Sequence, residues 1–207
     1  LLMVVSHAMG QVPAGDAAFS GLLTVLVLGM AGRWLFGNKD TPPPGFVLAM
    51  LGILGAAVCA WSLSRGGLSA TGYQFARLYL FQGFLLLPMM GIGPYLLPRF
   101  FGWPSGHSFD DSPTPPTGWW RKTAAASVAG LLVIGGFLLE VAGHAMAGQL
   151  LRALVILVWF AMETPILRRA KTPTTPGNSV RWAIGSMIAG LMAAACWPVA
   201  RIGSLHL

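Results

Sequence analysis

Four histidines, His7, His107, His144 and His206, carry the most versatile chemistry in this chain. Imidazole is the commonest metal ligand and the usual axial ligand of haem iron. Sulfur stands near two of them. Met9 is beside His7 and Met146 beside His144, while Cys59 and Cys196 lie late in two apolar stretches. Thiolate and thioether suit Cu(I), so histidine with sulfur is an inventory for copper as well as for haem. Taken singly, each histidine is more often a polar group at a membrane interface, and each cysteine or methionine more often packing filler. The two cysteines form no motif.

The ionisable residues set in apolar surroundings are few. Glu140 and Arg152 flank one short loop and can form an interfacial ion pair, since a charge facing lipid is costly and usually paired. Such a pair is either structural or holds a haem propionate through Arg152. Glu163, before Thr164 and Pro165, falls within an apolar stretch. Its candidate roles are proton relay, hydrogen-bond acceptor, or partner for Arg99 or Arg168. Gln82 begins a segment with Pro88 and Pro94, which free backbone carbonyls and predict a kink. Gly83, Gly91 and Gly93 there permit close approach of another helix or a flat ring. No nucleotide loop, zinc-protease helix or nucleophile elbow occurs. No CxxCH motif occurs either, so any haem would be held without a covalent bond. Enzymatic turnover is left open.

The elements that position these residues follow from composition. Hydrophobic residues make up 55 % of the 207-residue chain and charged residues 9 %, against about 25 % charged in a soluble domain. This excludes an ordinary soluble domain and a disordered chain. The fold class is all-α, a polytopic helical membrane protein in one transmembrane domain. Six apolar stretches of spanning length are expected at 17–36, 45–64, 73–97, 123–143, 148–169 and 180–201. Residues 1–13 read as the end of an earlier helix and a short loop. The polar approach to Leu207, like the start at Leu1, reads as a segment cut from a larger protein. The remaining spans of that protein are then its partners, together with the lipid bilayer.

The net charge of +7 would point to nucleic acid in a soluble domain. Here the basic residues sort by loop instead, and a nucleic-acid partner is rejected. Alternating the loops puts Arg33, Lys39, Arg99, Arg121, Lys122, Arg168, Arg169, Lys171 and Arg181 on one side, and Arg65, Arg77, Arg152 and Arg201 on the other. The positive-inside rule makes the first side, with loops 37–44, 98–122 and 170–179, cytoplasmic. His7, His144 and His206 then share the charge-poor side, and His107 stands alone in the cytoplasmic loop. All tryptophans but Trp159 fall at span ends or in the long loop, as an interfacial aromatic belt requires.

Three stretches resemble a known family. They are "TPPPGFVLAMLGILGA" from Thr41, "FQGFLLLPMMGIGPYLLPRFFG" from Phe81, and the terminal "RIGSLHL". Together they resemble the NnrS family of multi-pass bacterial inner-membrane proteins. The resemblance implies helical architecture with about twelve spans in the whole protein, bound haem and copper, and a part in the response to nitric oxide. A family histidine opens a helix that continues glycine-rich and apolar, and His206 in "SLHL" stands at such a start. His206 is therefore the first metal and haem ligand implied. His7, in "VVSHAMG", resembles the family's other helix-end histidines more weakly, and the His-rich N-terminal motif does not occur in this sequence. His144 rests on its position alone, as the alternative to His7. Two other classes remain open: a transporter or permease with a midplane path through Glu163, Gln82 and the third stretch, and a non-catalytic membrane subunit.

Overall fold

The computed structural model describes residues 12–36, 41–104, 115–164 and 175–196, and their regular structure is entirely helical. The helices are α1 (Val12–Phe36), α2 (Phe46–Arg65), α3 (Ala70–Phe100), α4 (Trp119–Val141), α5 (Ala145–Glu163) and α6 (Thr175–Cys196). Helices α2 to α6 are long and apolar enough to cross a membrane. The protein is a helical multi-pass membrane protein. Helix α1 is 25 residues long and includes the apolar stretch Ala17–Gly32. At 1.5 Å per residue the helix is about 37 Å long, enough to cross a hydrocarbon core of about 30 Å with its apolar stretch in the middle. Asp16 and Arg33 bracket that stretch in the sequence. Six helices thus stand where six spans are expected, five of them meeting the length and hydropathy of a crossing helix among the described residues.

Several boundaries move. Helix α1 begins at Val12, within the stretch expected to be loop. Helix α4 begins at Trp119 rather than 123, so Arg121 and Lys122 stand on its first turn. Helix α5 runs over 145–163 rather than 148–169, so Glu163 ends a span instead of lying inside one. Helix α3 is unbroken to Phe100 across Pro88, Pro94 and Pro98. Its departure from α geometry is a π-helical turn at Tyr79–Gly83, N-terminal to the expected proline kink.

The helices alternate in direction. Short turns at 66–69 and 142–144 join α2 to α3 and α4 to α5. Across helices, Phe19 meets Phe84, Trp61 donates to Thr24, Tyr79 meets Phe137, and Arg181 lies over Phe101. Each contact joins residues at the same level of an up-and-down bundle. Arg99, Arg121, Lys122 and Arg181 therefore share one end, and Arg65 and Arg77 the other. Helices α2 and α3 are central, with α1 against α2, α4 across both, and α6 against α5 and α3.

The core is built from Leu48, Leu87, Met90, Val133, Phe137 and Ile156, all fully buried. Within lipid the hydrophobic effect does not drive helices together, so small residues that admit close backbone contact take that role. Gly45 and Gly91 bring the α2 and α3 backbones into contact, Gly52 seats the Pro88 ring, and Gly136 and Gly148 do the same for α4 and α5. The outer surface carries Leu54, Val58, Leu85, Leu131, Leu138, Leu154 and Met162, all exposed. Hydrocarbon is the solvent that such a surface fits.

Candidate functional site

The charge-poor end is organised by the α4–α5 turn. Gly143 has φ +93°, which glycine adopts without steric cost. The Gly143 N–H donates to Glu140 O at 3.1 Å and the His144 N–H to Leu139 O at 2.9 Å. These are the paired bonds of a Schellman motif. His144 also precedes α5, and its carbonyl accepts from the Gly148 N–H at 2.9 Å. Two helices thus fix the His144 backbone from both sides while its side chain stands exposed. Met146, two residues on, is 55 % exposed.

Beneath this turn, Arg152 is fully buried. It lies about 10 Å inside α5, by its seven-residue offset from Ala145. Its Nη2 donates to Glu140, whose side chain is 15 % exposed. The guanidinium also lies over the Phe137 ring at 4.6 Å, a contact worth up to ~2 kcal/mol when desolvated. Gly136 and Gly148 make the space, since a Cβ on Gly136 would stand 2.6 Å from Arg152 Cγ. Gln149 Nε2 reaches Glu140 at 3.4 Å. Glu140 holds one nitrogen of the buried guanidinium, a structural role, while Nε and Nη1 are buried without a hydrogen-bond partner among the described residues.

The middle of α3 shows how its prolines are accommodated. Pro94 has no N–H, so the Met90 carbonyl one turn earlier loses its helical donor. The Trp159 indole fills that place, with Nε1–Met90 O at 2.8 Å. Trp159 is the tryptophan that breaks the interfacial pattern, and this bond accounts for it. The glycines of α3 meet protein: Gly91 meets Gly45 and Ala49, Gly93 the Phe160 ring, and Gly83 the Phe137 ring. Close helix packing, rather than a flat cofactor, occupies that face. Gln82 lies in the π-helical turn, its Oε1 buried without a hydrogen-bond partner among the described residues.

At the basic end Glu163 is half-buried and lines a small cavity with Tyr95, Lys122 and Trp159. Arg99, an expected partner, instead donates to the Tyr95 hydroxyl at 2.9 Å. Arg168 lies outside the described residues.

Of the expected ligands, His144 is described and His7 and His206 lie outside the described residues, as does His107 in the long loop. Cys59 is buried, Cys196 exposed, and both are free thiols. No group of three or more His, Cys, Asp or Glu able to hold a metal occurs among the described residues. The donor set described at the charge-poor end is one exposed imidazole and one exposed thioether. Those two groups could supply one position of a metal or haem site. Sequence reading noticed Trp159 but assigned it no role. Its signal was available, a lone donor in mid-span and a proline-freed carbonyl, but the pairing depends on helix register. Comparison with family models, curated proteins and solved structures finds no match.

Proposed function

We propose that this chain is part of an NnrS-like protein of the bacterial inner membrane that binds haem and copper at its charge-poor, periplasmic end in the response to nitric oxide. Its main support is a convergence. The described chain enters the bundle at Val12, after His7, and leaves it at Cys196, before His206, at the same end where the α4–α5 turn presents His144. In this reading His206 would hold the haem or copper, with His7 or His144 as the second ligand. His144 suits the task because its backbone is held by two helices and its imidazole is exposed. Bound haem would supply a redox-active iron centre tuned by its histidine ligands. The basic end, with the connections 37–45, 101–118 and 164–174, faces the cytoplasm. A midplane transport path has less support, because Gln82 lies nine residues along α3 from Gly91 in the Glu163 cavity, or about 14 Å.

The test is spectroscopic. Full-length protein purified from cells supplied with haem precursor should show a Soret band, weakened by His206→Ala and by replacement of the second histidine. Copper should be retained through gel filtration and fall in the same variants. A folded, colourless protein would reject the haem reading.

A further inference from the structure

At the basic end Pro43 and Pro44 form a wall shared by two recesses. On one side lies a groove of about 420 Å³. Phe46, Val47 and Met50 of α2 floor it, and Met30 of α1 and Trp119 and Thr123 of α4 flank it. The Trp119 indole is already committed, donating to Pro42 O at 2.7 Å. On the other side lies a cavity of about 60 Å³, whose polar side chains are Lys122, Glu163 and the Tyr95 hydroxyl. Neither Lys122 nor Glu163 has an ion-pair partner among the described residues.

We propose that the two recesses together bind one phospholipid with a primary-ammonium headgroup, a phosphatidylethanolamine. An acyl chain lies in the groove, the phosphate meets Lys122, and the ammonium meets Glu163. The groove is lateral, between α1 and α4 where both pack on α2. In a chain whose helices cross a bilayer, an apolar groove near a span end meets acyl chains rather than water. The neighbouring charges select the headgroup. Lys122 gives the positive field that membrane-end basic pockets use for lipid phosphate. Glu163 in the same cavity opposes a purely anionic headgroup and complements an ammonium. Arg99, stacked on the Tyr95 ring at 4.9 Å, adds a second cation beside the cavity. A primary ammonium can also donate hydrogen bonds to the Glu163 carboxylate, which a trimethylammonium cannot.

The experiment uses the full chain in mild detergent, stripped of lipid, and phospholipids brominated on the acyl chains. Bromine quenches tryptophan, and Trp119 lines the groove. Phosphatidylethanolamine should quench saturably at about a tenfold lower mole fraction than phosphatidylcholine or phosphatidylglycerol. Glu163→Gln should abolish that preference and leave quenching itself intact. Val47→Phe should fill the groove and remove the saturable phase, while helical circular dichroism shows that the variant is folded. Equal quenching by all three lipids, meaning annular contact only, would overturn the proposal. So would tightest binding of phosphatidylglycerol, or a preference that survives Glu163→Gln.

Discussion

Arg152 holds its charge about two turns inside α5 with no water to solvate it. Placing such a charge at a helix centre costs about 2.5–3.5 kcal/mol even on insertion scales, so its position depends on Glu140 and on the Phe137 ring. Removing one partner of a buried pair strands the other, at a typical cost of ~3–5 kcal/mol. Arg152→Ala is expected to lose that much stability in detergent unfolding. Replacing both charges, as in Glu140→Gln with Arg152→Met, should recover most of the loss, because neither stranded charge then remains. A loss below about 1 kcal/mol for Arg152→Ala would mean that Glu140 reaches water and the pair is only interfacial. The pair was legible in the sequence because charges are so scarce that a carboxylate and a guanidinium across one short loop have few other partners. The Trp159–Met90 bond was not. Proline marks which carbonyl is freed, but only packing decides which side chain of which helix lies opposite.

At the scale of elements, the apolar stretches were legible as helices because nothing else satisfies backbone groups in hydrocarbon. Their ends were less so. Gly143 closes α4 and His144 opens α5, a three-residue turn that hydropathy blurs because Ala142 and Ala145 are themselves apolar. The α3 irregularity was misplaced for a related reason. Proline announces a lost hydrogen bond, yet Trp159 restores the lost partner at Pro94, and the π-helical turn falls at Tyr79–Gly83, which contains no proline. The glycine contacts carry a sharper test. A Cβ on Gly91 would stand 2.5 Å from Gly45 O and 2.8 Å from Ala49 N, both backbone atoms. Helices α2 and α3 would have to part, and overpacking of this kind costs ~1–3 kcal/mol. Gly135 has no atom within 4 Å of its Cβ position, so Gly135→Ala should be neutral or stabilise by up to ~1 kcal/mol through helix propensity. Parallel unfolding of Gly91→Ala and Gly135→Ala separates the two effects. Equal stability would show that α2 and α3 slide apart without cost.

For the whole molecule, the charge asymmetry does two jobs. Counted by loop, it orients the bundle; and the burial of Arg152 against Glu140 sharpens it, because that cation is neutralised and leaves the charge-poor end poorer still. The same up-and-down order brings both described chain ends and His144 to one end, so the orientation and the proposed ligand site stand or fall together. A topology in which α1 failed to span would leave the order of α2 to α6 intact. Accessibility of single cysteines decides the orientation. In a background with Cys59→Ala and Cys196→Ala, Leu68→Cys in the α2–α3 turn and Pro116→Cys before α4 are both exposed positions. A membrane-impermeant maleimide should label Leu68→Cys in intact cells, and Pro116→Cys only after the membrane is opened. The reverse pattern would place the basic end outside, against the positive-inside rule, and would move His144 to the cytoplasmic face. Labelling of both in intact cells would break the alternation itself, because α3 would then not cross the membrane between them.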